Sequence, residues 1–365
     1  MNDVKKLKVV MLESENGTGR MKKVVLTAMT EMIGNHESFE YEIYDSFEAF
    51  EKEASANGFR GGRFLFCVEI DESGINLDSC RLMKYLCKNG DCMFDSVGGV
   101  IIDGKGELFT KELGRRLVFL ANASGAAFPG KPLVEATGNL INYDTLAGNW
   151  GTDRLHAYIK SCILLIKKVL DFKMVSVDNP KVLAIHASSR KTSNSLQLWT
   201  ETSKRLCSIE HIEEISIRNG EVWDCRGCKY EACLHFGENA ECFYGGVMVE
   251  KVYPAILRSD VLVLVCPNYN DSVSANIMAF INRLTALFRT NDFSRKRIYA
   301  IIVSGYSGGD IVAQQIIGAI NMNKNFILPP RFALIETANG PGDAMCLEGI
   351  EGRLDDFAKR ILDGN

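Results

Sequence analysis

The chain has 365 residues, a formal net charge of −4 and a hydrophobic content of 46%. A chain of this length favours two domains rather than one. The slight negative charge gives no reason to expect nucleic acid or an anionic membrane as a partner. No apolar stretch approaches the roughly 20 residues that span a bilayer. The composition therefore predicts a soluble globular protein of two domains.

The N-terminal segment lacks a secretory signal pattern. Residues 1–6 lead directly into a strand pattern, without an apolar core or a small-residue cleavage site. We therefore expect the chain to stay in the cytoplasm. In that reducing compartment its 12 cysteines are expected to be core residues or metal ligands rather than disulfides.

The first half alternates short apolar runs with helical patterns. Its predicted strands are residues 7–12, 41–44, 64–70, 97–102 and 133–136. Its predicted helices are residues 21–33, 77–88, 111–123 and 154–172. A polar stretch that ends at Pro180 follows the last helix and predicts a linker.

The second half follows the same plan. Its predicted strands are residues 182–185, 212–217, 261–266, 298–303 and 332–335. Its predicted helices are residues 196–206, 247–259 (kinked or shortened by Pro254), 275–288, 311–322 and 347–362. Strands that alternate with helices indicate parallel sheets covered on both faces. We therefore predict an α/β protein of two tandem doubly wound domains, 1–173 and 181–365, each with a five-stranded parallel sheet.

A polar loop, residues 187–195, separates the first strand of the second half from a helix. Unpaired backbone N–H groups and the helix dipole favour an anion at such a place. Candidate donors to a phosphate are the side chains of Ser188, Ser193, Asn194 and Ser195, with charge from Arg190 or Lys191. Ser and Asn are also good N-caps. The loop alone is therefore compatible with a phosphate site and with an ordinary capped helix.

Two more loops lie outside the carboxyl ends of predicted strands, where doubly wound sheets bind ligands. In residues 267–274 a Pro-x-Tyr turn offers a flat apolar face and backbone N–H groups to a planar heterocycle. The alternative is an ordinary turn with Tyr269 packed on its own domain. Residues 304–310 are rich in glycine, which permits close approach of the backbone to a ligand but also simply makes turns.

Taken together, the three loops resemble the NADPH-dependent FMN reductase group of flavodoxin-like proteins. Residues 187–195 are similar to the Gly-Ser-Pro-Arg-x-x-Gly-Asn-Thr phosphate loop of that group. Residues 266–283 resemble its Ser-Pro-x-Tyr and Phe-x-Asp-Arg segment, and residues 304–309 resemble its glycine-rich third loop. The chain departs from the pattern at Ala187, Ser189, Ser193 and Asn282, where the group has glycine, proline, glycine and aspartate.

The resemblance implies an FMN site in a flavodoxin-like second domain. The phosphate contacts it implies come from Ser188, Arg190, Ser193, Asn194 and Ser195. The isoalloxazine contacts come from Pro267, Asn268, Tyr269, Ser272, Val273 and Ser274, with Ser304, Gly305, Tyr306, Gly308 and Gly309 closing the far side. Because the flavin carries the redox chemistry, no catalytic side chain is implied. NAD(P)H as co-substrate, a small-molecule or protein electron acceptor and a homo-oligomer are also implied.

Four cysteines crowd into one loop-like segment, at Cys225, Cys228, Cys233 and Cys242. The related iron–sulfur flavoproteins carry a compact four-cysteine motif at the corresponding place, with tighter spacing. Four thiolates can ligate a [4Fe–4S] cluster or Zn²⁺. Unligated thiols are the third interpretation.

The first half has one loop that is similar in composition to a phosphate loop, residues 13–20. Glu13 and Glu15 would oppose a bound dianion there. We therefore predict no cofactor in the first domain, which would serve as a structural partner. The whole sequence predicts an FMN-dependent NAD(P)H oxidoreductase. The alternatives are an iron–sulfur flavoprotein electron carrier and a non-catalytic flavodoxin-like binding module.

Overall fold

The computed structural model describes residues 5–34, 39–175, 177–189, 192–218 and 222–364. The chain divides into two compact units, residues 1–173 and residues 174–365. Each unit is a parallel β-sheet whose helices pack against it. No helix in the described ranges is both long and apolar enough to cross a bilayer.

The described part of the first unit contains six strands that all pair in parallel. The strands are β1 Lys5–Leu12, β2 Phe39–Tyr44, β3 Arg63–Ile70, β4 Ser96–Gly104, β5 Ala126–Ala127 and β6 Leu133–Ala136. The helices are α1 Met21–Gly34, α2 Phe47–Asn57, α3 Leu77–Lys88, α4 Thr110–Ala123, α5 Asp144–Trp150 and α6 Arg154–Asp171. The strand order is β2-β1-β3-β4-β5, and β6 also pairs with β4.

This sheet differs from the five strands that the sequence predicts. The last position beside β4 is shared by two short strands, because β5 pairs with its first residues and β6 with its later ones. Pro129 and Pro132 lie between the two pieces. Proline cannot donate a hydrogen bond to a neighbouring strand, so a continuous strand is interrupted there.

The second unit has the predicted five-stranded parallel sheet in its described residues, in the order β11-β10-β9-β7-β8. The strands are β7 Val182–His186, β8 Ile212–Ser216, β9 Val261–Pro267, β10 Arg297–Ser304 and β11 Ala333–Thr337. The helices are α7 Asn194–Arg205, α8 Tyr230–Glu238, α9 Tyr253–Arg258, α10 Ala275–Phe288, α11 Gly309–Ile316 and α12 Ile350–Asp363. A π-helical turn, Met248–Val252, precedes α9, and another, Ile317–Met322, follows α11.

In both sheets, the order in which successive strands are added reverses at the first strand of the unit. Counted from that strand, each order is 2-1-3-4-5, which is the flavodoxin-like arrangement, so the predicted fold class is confirmed. At the reversal, the chain leaves β7 and β9 towards opposite sides of the sheet. The loops after these two strands therefore diverge and open a crevice at the carboxyl ends of the strands.

Candidate functional site

The carboxyl edge of the second sheet brings together the three loops that the sequence selects. Residues 187–193 follow β7, residues 268–274 follow β9, and residues 305–308 follow β10. Each loop leads into a helix, so the N-termini of α7, α10 and α11 also belong to this edge. Helix N-termini carry partial positive charge and unpaired N–H groups. The edge is therefore suited to an anionic ligand.

The loop after β7 places three serine hydroxyls near the start of α7. Ser193 is the N-cap, and its Oγ accepts a hydrogen bond of 3.2 Å from the N–H of Leu196. Its Oγ also lies 3.0 Å from Ser195 Oγ. Ser188 is buried, and its Oγ has no hydrogen-bond partner among the described residues. A buried hydroxyl without a partner indicates a ligand or a water at that place. Arg190 and Lys191 lie outside the described residues.

The side chain of Asn194 joins α7 to the loop after β11. Its Nδ2 donates to the carbonyl oxygen of Gly340 at 2.8 Å, and its Oδ1 accepts from the N–H of Gly342 at 2.9 Å. Longer contacts of 3.4 Å reach the carbonyl of Ala338 and the N–H of Ala344. Its amide group is thus already bonded within the protein. The predicted phosphate contact of Asn194 stays a prediction, and its backbone N–H is the group available for it.

The loop after β9 is a tight two-residue hairpin. Tyr269 and Ser272 exchange backbone hydrogen bonds of 3.0 and 3.1 Å. Asn270 and Asp271 between them have φ angles of 52° and 57°, as a type I′ turn requires. The turn presents Tyr269 with 55% of its surface exposed. Tyr269 is therefore not packed into its own domain.

Polar side chains fix this hairpin against its neighbours. Gln315 of α11 accepts a hydrogen bond of 3.0 Å from the N–H of Val273 and lies 3.2 Å from Ser272 Oγ. Asn268 Nδ2 donates to Ser304 Oγ at 3.1 Å and to the carbonyl oxygen of Ser307 at 2.9 Å. Gln315 is not among the site residues predicted from the sequence, although a polar side chain within the apolar pattern of α11 is a signal for it.

Two further buried oxygens of this region have no hydrogen-bond partner among the described residues. They are Asn268 Oδ1 and Ser274 Oγ. Ser274 immediately precedes α10, where its side chain makes no cap bond. Together with Ser188 Oγ, they line the ends of the two strands that flank the reversal of the sheet.

The glycine-rich loop after β10 lies close to the hairpin. Gly308 has a φ of +85°, and a Cβ there would overlap the side chain of Asp271. A Cβ on Gly305 would come within 3.3 Å of Asn339 Oδ1. Tyr306 projects from the loop with 84% of its surface exposed. Pro267 is the last residue of β9 and Ser304 is the last residue of β10, so each directly precedes one of these loops. Gly309 is the first residue of α11 and directly follows the glycine-rich loop.

A separate cavity of about 380 Å³ is lined by all four candidate metal ligands, Cys225, Cys228, Cys233 and Cys242. Within the described ranges, no group of three or more Cys, His, Asp or Glu side chains is arranged to hold a metal ion. The structure therefore brings the four cysteines to one cavity, but it does not bring their sulfur atoms into a ligand set.

Arg283 of α10 lines the same cavity. Arg283 is 2% exposed, and its Nη2 donates to the carbonyl oxygen of Gly245 at 2.8 Å. Its Nε and Nη1 have no hydrogen-bond partner among the described residues. Asn282, where the resembling group has aspartate, donates to Asp224 Oδ1 at 2.9 Å and so ties α10 to the cysteine segment.

Residues 180–340 match the family model described as NADPH-dependent FMN reductase. The resemblance of the second half to this family is confirmed. The match includes all three loops at the carboxyl edge and the cysteine segment. No curated protein matches the chain significantly.

Several solved structures are similar to one half of the chain. Trp repressor binding protein from Bacillus subtilis is 18% identical with a TM-score of 0.35, over 48% of this chain and 98% of that one. NAD(P)H:quinone oxidoreductase from Methanothermobacter marburgensis is 14% identical with a TM-score of 0.38, over 51% of this chain and 100% of that one. RosB with a bound riboflavin phosphate derivative is 16% identical with a TM-score of 0.37, over 51% of this chain and 77% of that one.

Proposed function

We propose that the second unit binds FMN at its carboxyl edge and passes electrons from NADH or NADPH to an acceptor. The observation that carries the proposal is the set of three buried oxygens without partners in the described chain, Ser188 Oγ, Asn268 Oδ1 and Ser274 Oγ. They lie within the segment that matches the FMN reductase family. FMN would supply the two-electron redox chemistry. The homo-oligomer and the nature of the acceptor stay predictions.

The phosphate end of FMN fits the loop after β7. The Ser188 hydroxyl is free to donate to a phosphate oxygen, and the N-terminus of α7 offers backbone N–H groups and a favourable dipole. Ser193 fixes the first turn of that helix by capping it. In this proposal Arg190, known from the sequence alone, adds a charged hydrogen bond.

The ring end of FMN fits the hairpin and the glycine-rich loop. Asn268 Oδ1 is an acceptor suited to an N–H group of the isoalloxazine, while its Nδ2 stays bonded to the loop after β10. The exposed ring of Tyr269 provides a flat face, and Gln315 keeps the hairpin from moving. Without a side chain, Gly308 lets the two loops approach each other.

Titration of the purified chain with FMN, followed by flavin fluorescence, tests this function. We expect about one FMN per chain and anaerobic bleaching of the visible flavin absorption by NADH or NADPH. A chain that binds FMN without being reduced would contradict the oxidoreductase role. A chain that binds no FMN would instead support the non-catalytic binding module.

A second candidate function, the iron–sulfur electron carrier, is favoured by the cysteine cavity. A [4Fe–4S] cluster held by four thiolates is anionic, and an anion in the cavity would balance the buried guanidinium of Arg283. At 1.5 Å per residue, Arg283 lies about 12 Å along α10 from Ala275, next to the hairpin. A cluster in the cavity would therefore be near the flavin. Zinc in the same ligands would be redox-inactive.

The spectrum and metal content of protein purified without oxygen separate these possibilities. A cluster gives broad brown absorption and bound iron, whereas zinc gives metal without colour. If the cavity holds the metal, Cys228→Ser should lower the metal content and Cys346→Ser should not, because Cys346 is exposed and lies outside the cavity. Equal metal content in both variants would contradict the cysteine site.

A further inference from the structure

In the first unit, the loop after β1 surrounds a carboxylate of the protein itself. Glu69, the penultimate residue of β3, is only 1% exposed. Its carboxylate accepts hydrogen bonds from the N–H of Gly19 at 2.6 Å and of Ser14 at 3.3 Å. The Thr18 hydroxyl lies 2.7 Å from Glu69 Oε1. Backbone N–H groups and a hydroxyl that converge on an anion form the donor set of a phosphate loop.

We call this set of donors, from Ser14, Thr18 and Gly19, the oxyanion cradle. It lies between the carboxyl ends of β1 and β3, which flank the reversal of the first sheet as β7 and β9 flank that of the second. A Cβ on Gly17 would overlap the Glu69 carboxyl group, so the loop encloses this group tightly. In the second unit, β9 ends with Cys266 and Pro267 and carries no acid.

The remaining charges of the cradle are also balanced internally. Arg20 Nε lies 2.9 Å from Oδ2 of the buried Asp103, and Arg20 Nη1 donates to the carbonyl of Gly138 at 2.8 Å. Burial raises the pKa of Asp103, while the bonds from Arg20 and Thr18 act in the opposite direction. The cation next to the cradle is thus already paired with a carboxylate.

The acids that the sequence analysis selected are placed differently. Glu13 forms an exposed ion pair of 2.7 Å with Lys22, and Glu15 is exposed. Surface charges that are paired or hydrated oppose an anion only weakly. The carboxylate positioned to oppose a bound phosphate is therefore that of Glu69, and not those of Glu13 and Glu15 as predicted from the sequence.

We propose that Glu69 is an internal ligand that fills the oxyanion cradle of the first unit in place of a phosphate. Removal of its carboxylate would leave a cavity lined by the N–H groups of Ser14 and Gly19 and by the Thr18 hydroxyl, which also lies 3.0 Å from Oδ1 of the Arg20-paired Asp103. The ligand complementary to these donors is inorganic phosphate or a phosphate monoester. The proposal concerns the first unit alone and does not depend on flavin binding by the second.

Equilibrium dialysis of the full-length chain with labelled inorganic phosphate tests the proposal. We expect each Glu69→Ala chain to bind one more phosphate ion than a wild-type chain binds. Glu69→Gln is the matched control: its amide fills the same volume, so it should gain no phosphate. Equal numbers of phosphate in Glu69→Ala and wild type would overturn the proposal. A phosphate bound by the second unit does not affect the result, because it adds equally to the number bound by the wild type and by each variant.

Thermal unfolding keeps the test decisive if Glu69→Ala folds poorly. Phosphate, but not chloride at equal ionic strength, should then restore its cooperative transition, and failure to do so would overturn the proposal.

The variant Gly17→Ala tests the enclosure of Glu69 without any added ligand. It should lower the melting temperature of the wild type and have little effect in the Glu69→Ala background, because the overlapping carboxyl group is gone. Equal effects in both backgrounds would contradict the tight enclosure of Glu69.

Discussion

At the scale of single residues, Ser188 and Asn194 differ in the contacts that they make near the start of α7. The Asn194 amide bonds to the backbone of Gly340 and Gly342, whereas the buried hydroxyl of Ser188 bonds to no described residue. Removal of the Asn194 side chain leaves these partly buried backbone groups unpaired, and removal of the Ser188 hydroxyl leaves none unpaired. Substitutions at the two positions are therefore expected to separate a structural contribution from a contribution to the proposed ligand binding.

We predict that Asn194→Ala lowers the free energy of unfolding by about 1–3 kcal/mol and weakens FMN and riboflavin alike. Ser188→Ala should leave stability unchanged and weaken FMN about 10- to 150-fold, the equivalent of one hydrogen bond to a charged group. Riboflavin, which lacks the phosphate, should bind Ser188→Ala as it binds the wild type. Urea unfolding and fluorescence titration measure these effects. Equal loss of both flavins in Ser188→Ala would contradict the phosphate contact.

The sequence predicts which loops form the candidate site, but it does not predict the hydrogen-bond partners of the side chains in them. Serines between a strand and a helix are visible in the sequence, and so is a Pro-x-Tyr turn. The sequence does not reveal Glu69, because it lies in an otherwise apolar run, residues 64–70, and nothing local shows that its carboxylate bonds to a loop about fifty positions away in the chain. Asn194 and Gln315 likewise acquire their bonds only through tertiary folding.

At the scale of elements, the hairpin after β9 and the loop after β10 depend on each other. Gly308 permits the contact through its φ of +85° and the absence of a Cβ that would overlap Asp271. Asn268 then bonds across the gap to Ser307. The two loops consequently form one wall of the proposed flavin pocket.

We predict that Gly308→Ala destabilises the second unit by about 1 kcal/mol or more and weakens FMN at least roughly tenfold. An alanine would strain the backbone and push the hairpin away from the loop. Gly349→Ala in the same unit is the matched control, since Gly349 also has a positive φ, of +69°, but its new Cβ would meet only Arg353 Nη1 at 3.3 Å. Equal FMN affinities in the two variants would argue against a shared wall.

Element boundaries were predicted well where periodicity is strong and less well where hydrogen bonding changes. Residues 311–322 were predicted as one helix, but α11 becomes a π-helical turn after Ile316. A π turn widens the hydrogen-bond ring by one residue without a clear change in apolar spacing. Helix α2 was missed because it is short and its buried side consists largely of Phe47 and Phe50.

At the scale of the whole molecule, the two units share a strand order but differ in the chemistry of their carboxyl edges. The alternation of strands and helices predicted both sheets, because apolar patterning determines the layers of a fold. It does not determine whether a unit binds a cofactor, since the fold and the site depend on different residues. In our proposals, the difference rests on Glu69 in the first unit and on Ser188 in the second.

Each unit also has a hydrophobic core of its own. One core cluster consists of residues of the first unit, around Leu65 and Ile166, and another consists of residues of the second, around Trp199 and Val263. A chain segment that contains a complete core and complete sheet is expected to fold cooperatively by itself. The units can therefore be studied as separate fragments, residues 1–173 and residues 174–365.

We predict that the fragment of residues 174–365 folds and binds FMN with nearly the affinity of the full chain. The fragment of residues 1–173 should fold and bind no flavin, because the Glu69 carboxylate occupies the donors that a phosphate would need. Circular dichroism checks the folding of each fragment, and flavin released by denaturation gives the FMN per chain. About one FMN in the full chain agrees with this assignment. Two per chain, or flavin that remains with residues 1–173, would show that the first unit binds a nucleotide despite Glu69.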